Sequence, residues 1–539
     1  MKNIFKSILA LVCCGAIFAS CEKEVPETEM SVDLTSIEVE AQNPESVAVT
    51  LTTNANWILT CPEWITPSAT FGSGDTILSF QFASNYKDEK TSTRARTGVI
   101  KISGGGALTG KGAVVSINVN QAGYTYVDPN PSLGGIPDAE EFAKFIVAAN
   151  TGGSLKRWTN EDTGEVLLLA DIDLSGEDID WQTLADATKT SNANNASLVV
   201  ENTTPFEGVF NGDNHKITGF NPVVVLGANQ TFGLFQVAHN ATIKNLELSG
   251  TFNVTATDQA DAGMLVGTAI HSTISNVKID GKIVSTGTIA SKRFSIGGVC
   301  GYAYAGVISE TEVGKTLFEG CVVNADVEFD GGTNQANGAT GAMYGGVCGF
   351  ATTPNADKAH KVTIKNCVNN GNMNVKIGRC SGILATANTG VILEDVTNNG
   401  DQVNKVIDGR LGNVVCNISH YCTLKNCVNN GDIDATAEGY KGTVGGIFAL
   451  AGSATITGIE GGGNYGTIKT LGSAGTNGKY VGLLWANHNN TFPTKDVVAS
   501  GRIFVDGVER EISEANYMEN VGYIKDPSCV TNILWVAPK

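Results

Sequence analysis

Two short patterns recur from about residue 240 onward, and their spacing restricts what the chain can fold into more than any other feature. The first is a small residue, a glycine, an aliphatic residue and an apolar one: Ala262-Gly263-Met264-Leu265, Gly297-Gly298-Val299-Cys300, Gly345-Gly346-Val347-Cys348, Ser381-Gly382-Ile383-Leu384, Gly445-Gly446-Ile447-Phe448 and Val481-Gly482-Leu483-Leu484. The second reads Thr242-Ile243-Lys244-Asn245-Leu246, Thr273-Ile274-Ser275-Asn276-Val277, Phe318-Glu319-Gly320-Cys321, Thr363-Ile364-Lys365-Asn366-Cys367, Ile392-Leu393-Glu394-Asp395-Val396, Thr423-Leu424-Lys425-Asn426-Cys427 and Thr455-Ile456-Thr457-Gly458-Ile459. Its last positions are 31, 44, 46, 29, 31 and 32 residues apart. Self-similarity at this period marks a solenoid. A strand of four or five residues cannot bury its apolar face alone, but equivalent strands stacked at about 4.8 Å build ladders of like residues inside a tube. Glycines are expected to supply its φ > 0 corners. Asn369-Asn370-Gly371, Asn398-Asn399-Gly400 and Asn429-Asn430-Gly431 are expected to share one corner as an amide ladder.

The alignment also reads the cysteines. The chain has thirteen Cys, a number that in any exported protein would ordinarily suggest disulfides. Here Cys300 and Cys348 align with Leu265, Leu384, Phe448 and Leu484, while Cys321, Cys367 and Cys427 align with Val277, Val396 and Ile459. A position that takes Cys, Val, Leu, Ile or Phe is an interior rung, where a thiol acts as a small apolar group. Core thiols are therefore expected, with Cys321 and Cys367 the best-placed exception. Cys422 and Cys427 form the only close pair in the array, with His420 beside them, and no second pair lies at ligand spacing. No metal and no cofactor are expected.

The Gly-Gly-aliphatic step, the Ile-x-Asn-Cys step and Asn-Asn-Gly together resemble the GLUG-type repeat of bacterial surface proteins over residues 205–490. The resemblance implies a right-handed parallel β-helix solenoid. Ahead of it, Asp138 is placed to N-cap a helix carrying Phe142, Phe145, Ile146 and Ala149 at helical spacing, so residues 138–204 are read as the cap region of the first coil. Residues 491–539 are read as the C-terminal cap.

Residues 32–123 change period. Ile37-Glu38-Val39-Glu40, Val47-Ala48-Val49-Thr50-Leu51, Val99-Ile100-Lys101-Ile102 and Val115-Ser116-Ile117-Asn118-Val119 alternate apolar and polar, with turns between them, which argues for an antiparallel sandwich. Trp57, Pro62-Glu63-Trp64-Ile65-Thr66-Pro67, Arg96-Thr97-Gly98 and Gln121-Ala122-Gly123 resemble, in that order, the BACON domain of Bacteroidota surface and glycan-processing proteins. That implies an immunoglobulin-like β-sandwich. Trp57 and Trp64 are read as core aromatics, with sugar stacking as the alternative. Residues 124–137 read as a linker.

At the start, Lys2 and Lys6 precede an apolar run from Ile8 to Ala19 that is too short for a bilayer of about 20 residues. It reads as a signal peptide, residues 1–20. Ala19-Ser20-Cys21 resembles a bacterial lipobox, which implies lipidation of Cys21, and the acidic stretch from Glu22 to Glu29 resembles the surface-export signal of Bacteroidota lipoproteins. Residues 21–31 would be a tether, and the product would be lipid-anchored in the outer membrane, facing the cell exterior.

With Lys+Arg 36 against Asp+Glu 54, the net charge is −18, which argues against nucleic acid as a partner. Glycoside hydrolysis needs two carboxylates on one cleft. The densest acidic group is Asp171, Asp173, Asp178 and Asp180, whose alternation with Ile172, Leu174 and Ile179 is that of a half-exposed strand and its turn. His215, His239, His271, His360, His420 and His488 are scattered, and there is no His-Glu-x-x-His, Gly-x-Ser-x-Gly or phosphate loop. The chain is thus read as all-β: an N-terminal immunoglobulin-like β-sandwich followed by a right-handed parallel β-helix. Its expected function is non-catalytic adhesion or binding of glycans or glycoproteins, with no catalytic residue and no binding residue identified. A carbohydrate-active enzyme, either polysaccharide lyase or glycoside hydrolase, is the alternative, and a structural surface stalk the second.

Overall fold

The computed structural model describes residues 27–105, 112–126, 131–187, 203–287, 292–306, 314–331, 341–354, 361–407, 409–453, 455–474, 480–489 and 491–538. Residues 1–20, Cys21 and most of the expected tether lie outside the described residues. The chain divides into two compact units, Met1–Pro131 and Ser132–Lys539. No helix among the described residues is long and apolar enough to cross a membrane.

In the first unit the period-two runs form β1 (Met30–Val32), β2 (Ser36–Val39), β3 (Val47–Thr53), β4 (Asn56–Thr60), β5 (Ile65–Pro67), β6 (Phe71–Ser73), β7 (Thr76–Phe82), β8 (Arg96–Gly105) and β9 (Gly112–Gln121). They make two sheets, β1-β3-β7-β5 and β2-β9-β8-β4-β6. Val49, Leu51, Leu78 and Phe80 of the first share one core with Trp57, Leu59, Ile100, Ile102, Ile117 and Val119 of the second. Alternate residues therefore point inward, as a half-buried strand requires. Pairing is antiparallel except where β2 runs parallel to β9. Trp57 is buried, and its Nε1 donates to the Gly74 carbonyl at 3.3 Å. Trp64 is half-buried beneath the Arg96 guanidinium, 4.5 Å from the ring centroid. A Cβ on Gly98 would stand 2.9 Å from the Trp64 ring, so glycine is needed there for the ring to lie against the strand.

The second unit is built on sheets of 26, 8 and 9 strands, parallel but for the hairpin of Ile503–Val505 and Val508–Glu509. One turn of the chain shows the plan: Thr273–Gly287, bent at Asn276 (φ 51°) and Gly281 (φ 107°), enters the largest sheet, then Arg293–Gly297 and Cys300–Tyr304 enter the other two. Each strand pairs in parallel with its equivalent in the coils before and after, as Leu246 with Val277 and Cys300 with Cys348. This is the arrangement of a parallel β-helix, and one apolar core runs its length. Strands continue past residue 490, through Thr494–Lys495, Val498–Ala499 and Ile503–Val505 to Val530–Thr531 and Leu534–Trp535.

At the N-terminal end the helix Ala139–Thr151 is capped by Asp138, whose Oδ1 accepts from the Glu141 N–H at 2.9 Å. Phe142, Phe145 and Ile146 are buried, and Phe145 stacks on Phe210 of the first coils.

Three expectations are corrected. Leu265 and Leu484 do not share the Cys300 column; Val266 and Trp485 do, because the second place of the turn accepts Met264 and Leu483 as well as glycine. The same register adds a copy that the pattern missed, Gly412-Asn413-Val414-Val415. Ile459 stacks on Leu424, and it is Gly462 that follows Cys427, so the last copy was aligned three residues early. The expectation that glycines supply the φ > 0 corners holds only in part: Gly320 and Gly461, and Gly250 and Gly281 at another bend, have positive φ, whereas the Gly-Gly steps do not. The other corners of the Ile-x-Asn-Cys column fall on Asn245, Asn276, Asn366, Asp395 and Asn426, at 50–56°. Gly346 serves instead for close approach: a Cβ there would stand 2.9 Å from the Asn369 amide.

Candidate binding face of the solenoid

The sequence-derived catalytic candidates resolve into local hydrogen bonding. Asp171 accepts from the Lys216 N–H and meets His215 Nδ1, both at 3.0 Å. Asp173 accepts from the Ser175 N–H at 3.0 Å and Asp180 from the Thr183 N–H at 2.9 Å, each opening a helical turn. These bonds stabilise the anions. The backbone N–H of Lys216 and the His215 side chain lower the Asp171 pKa, the Ser175 hydroxyl and N–H lower that of Asp173, and the Thr183 N–H and hydroxyl lower that of Asp180. A general acid needs the opposite displacement. Asp178 lies in the same exposed stretch.

Of the described histidines, His239 and His271 come near one another, their ring centroids 6.3 Å apart, each with its own partner. His239 Nδ1 meets Glu207 at 2.5 Å, His271 Nε2 meets the Gly306 carbonyl at 2.5 Å, and buried His488 stacks on Phe492 at 4.0 Å. His360 lies outside the described residues. Cys422 and Cys427 point into the tube, toward the carbonyls of Ala387 and Leu393, whereas His420 is exposed and bonds to Ser453 and Thr455. Among the described residues no group of three His, Cys, Asp or Glu is placed to hold a metal ion. A buried ion pair, Arg293 with Asp261 at 2.6 Å, has its guanidinium 4.4 Å from the Tyr302 centroid. It is almost wholly shielded from solvent.

What the solenoid does present is a patterned outer face on the strands that follow the Asn-Asn-Gly corner. Register aligns Lys282, Asp326, Asn372, Asp401 and Asp432 in one column, and Val284, Glu328, Asn374, Val403 and Asp434 in the next. Within the first, the Asn372 N–H donates to Asp326 at 2.8 Å, the Asp401 N–H to Asn372 at 3.0 Å and the Asp432 N–H to Asp401 at 2.8 Å. Each side chain is thereby held upright by the next coil.

A groove of about 540 Å³ lies between the two columns, lined by Lys282, Asp326, Glu328, Asn372, Asn374 and Val403. A second, of about 300 Å³, shares Glu328 and Asn374 and runs on to Asp330, Lys376 and Lys405. Lys282 bonds to Glu328 at 3.0 Å across the floor. The surface offers carboxylates, Asp326, Glu328 and Asp401 among them, with amides and ammonium groups around a small apolar patch, which suits a hydroxyl-rich ligand. The sequence identifies no binding residue by itself, although a signal is present. Every Asn-Asn-Gly is followed by Asn or Asp, namely Asn372, Asp401 and Asp432.

No family model matches the chain, and no curated protein matches it. Among solved structures it is similar to a Bacteroides ovatus GH5 xyloglucanase in complex with a XXXG heptasaccharide, at 14% identity over 35% of this chain and 45% of that one, with a TM-score of 0.15. It is also similar to an IgA1 protease, at 12% identity over 78% of this chain and 26% of that one, with a TM-score of 0.31. The chain thus spans less than half the length of either protein. Likenesses this distant establish neither its family nor its function.

Proposed function

We propose that this chain is a non-catalytic surface lipoprotein that binds glycans or glycoproteins along the outer face of its solenoid. In this reading Cys21 carries the lipid and holds the protein on the outer membrane, facing outward. Residues 32–123 are a BACON-like, immunoglobulin-like sandwich, and the GLUG-type repeats wind a right-handed β-helix, the hand that nearly all parallel crossover connections take.

The observation that carries the reading is the double groove spanning consecutive coils, with Glu328 and Asn374 common to both halves. A ladder of upright polar side chains matches a polymer of repeating hydroxyl groups better than it matches one small molecule. A face this shallow buries little ligand area, so affinity is expected at about 1 μM to 1 mM. The acids that the sequence offered to a carbohydrate-active alternative are otherwise engaged, Asp171 with the neighbouring coil and Asp173 and Asp180 each in a turn, and all three are held anionic.

Glycan-array retention of residues 22–539 tests the face. A Glu328→Ala, Asn374→Ala double variant with an unchanged circular dichroism spectrum is expected to lose at least tenfold in retention. Full retention would move the site elsewhere, and release of reducing or unsaturated ends from a polysaccharide panel would replace the binder by an enzyme.

A further inference from the structure

The N-terminal unit carries an apolar feature that its core does not use. Phe71, Ile58 and Val114 are 76%, 64% and 62% exposed. They are not scattered. Phe71 of β6 stands directly opposite Ile58 of β4, Ile58 opposite Ser103 of β8, and Ser103 opposite Val114 of β9. The four side chains cross one sheet as a single row on its outer face, since Trp57, Leu59 and Ile102 between them point inward. Flanking them on that face are Asn56 and Ser73 on one side and Thr60, Lys101 and Ser116 on the other. In a chain of net charge −18, this patch holds one cation and no carboxylate.

The position of the row relative to the start of the chain identifies what it meets. The Glu27 carbonyl accepts from Asn54 Nδ2, and the Glu29 N–H donates to Asn54 Oδ1, both at 3.0 Å. Asn54 precedes Ile58 by four residues, about 13 Å at strand rise. Cys21 precedes Glu27 by six residues, a contour of at most about 20 Å. The chain therefore enters the unit at the end where the apolar row lies, and a lipid on Cys21 cannot stand far from it.

We infer that the Phe71-Ile58-Val114 row rests on the lipid surface that receives the anchor, so that the N-terminal unit sits on the membrane by one face and does not swing free on its tether. The inference rests on the lipid-anchor reading of Cys21. Its chemistry is that of a second, weak membrane signal added to the acyl chains, with apolar side chains at the headgroup boundary and Lys101 beside anionic headgroups.

The test uses the full lipidated chain in phosphatidylethanolamine vesicles containing phosphatidylglycerol. A photoreactive residue is placed at the row (Phe71→p-benzoylphenylalanine) or, as a control, on the outer face of the other sheet at 69% exposed Ile77 (Ile77→p-benzoylphenylalanine). After irradiation, phospholipid adducts are expected to be at least fivefold more abundant at position 71. Equal adducts at both positions, none at either, or a covalent dimer through position 71 would overturn the inference, the last in favour of a second copy of the chain. The mass of the N-terminal peptide in the same sample separates the two readings. An acylated Cys21 without adducts at 71 removes only this inference, whereas an unmodified Cys21 removes the anchor and the inference with it.

Discussion

At the residue scale the solenoid is organised by asparagine. Asn369, Asn398, Asn429 and Asn464 form a buried ladder in which each Nδ2 donates to the Oδ1 of the next coil at 2.7–2.9 Å. Asn370, Asn399 and Asn430 form an exposed ladder that donates the other way, toward Asn324, at 2.8 Å per step. Neighbouring amide columns thus run in opposite directions, and their dipoles oppose rather than add. Burial makes the inner ladder the costly one to break. Asn398→Ala is expected to destabilise by roughly 2–3 kcal/mol, because the facing amides of Asn369 and Asn429 lose a partner away from water, and Asn399→Ala by less than about 1 kcal/mol. Urea unfolding of both variants measures the difference. The thiols obey the same logic of burial. Desolvation pushes Cys427 up to about 12 and Cys416 and Cys422 to about 11. Iodoacetamide at pH 8 on the native protein is therefore expected to modify, among the ten described cysteines, only half-buried Cys61 and Cys529. Mass spectrometry that finds Cys300 or Cys367 modified without denaturant would contradict it.

At the element scale the capping helix has its own electrostatic lock. Glu141 accepts from Arg157 Nε and from buried Trp158 Nε1, both at 2.8 Å, and from Lys144 at 3.1 Å. The Arg157 guanidinium foremost, with Trp158 and Lys144, lowers its pKa from 4.5 to about 2. A carboxyl depressed in the folded state stabilises fully above its unfolded pKa, and that contribution is lost as the pH falls from about 4.5 toward 2. The helix is thus expected to loosen from the first coil across that window, reported by Trp158 fluorescence. Glu141→Gln should weaken the cap at neutral pH and flatten the acid transition, and an unaltered transition would show that the lock is not Glu141. The same helix relies on fit as well as charge: Asn150 Nδ2 reaches the Leu234 carbonyl at 2.9 Å, tying its last turn to the first coil.

At the scale of the whole molecule each coil touches mainly its two neighbours, so stability should be close to a sum of coil and interface contributions. Register makes this testable, because Ile392 pairs with Thr423 and Leu384 with Val415, and residues 391–421 are therefore one complete turn. Deleting them joins Gly390 to Cys422 with every column intact. Leu424 then stacks on Ile364 and Asn429 on Asn369. The shortened chain is expected to keep its β circular dichroism and to unfold a few degrees lower. Loss of cooperative unfolding would show that the array is not modular. Removing the capping helix, residues 138–151, should do more damage than removing a coil, because it strips Phe206, Phe210 and Phe235 of their aromatic cover.

Much of this was legible without coordinates. Period and composition together dictated parallel stacking, interior thiols at Cys300, Cys321, Cys348, Cys367 and Cys427, the amide ladders of Asn-Asn-Gly and the cap at Asp138, because each follows from local chemistry repeated at fixed spacing. Register did not follow from pattern alone. A turn that tolerates Met264, Leu483 or Asn413 in place of glycine can be aligned one residue out, and only cross-coil pairing decides that Trp485, not Leu484, continues the column. The proposed binding face was legible only in part, for a related reason. Asn372, Asp401 and Asp432 recur after each Asn-Asn-Gly, but Lys282, Glu328 and Asn374 share no repeated identity, only a shared outward direction, and direction is set by which neighbour each strand pairs with. The apolar row of the N-terminal unit is the clearest instance: Phe71, Ile58 and Val114 are far apart in the chain and become one surface only when three strand pairings bring them into line.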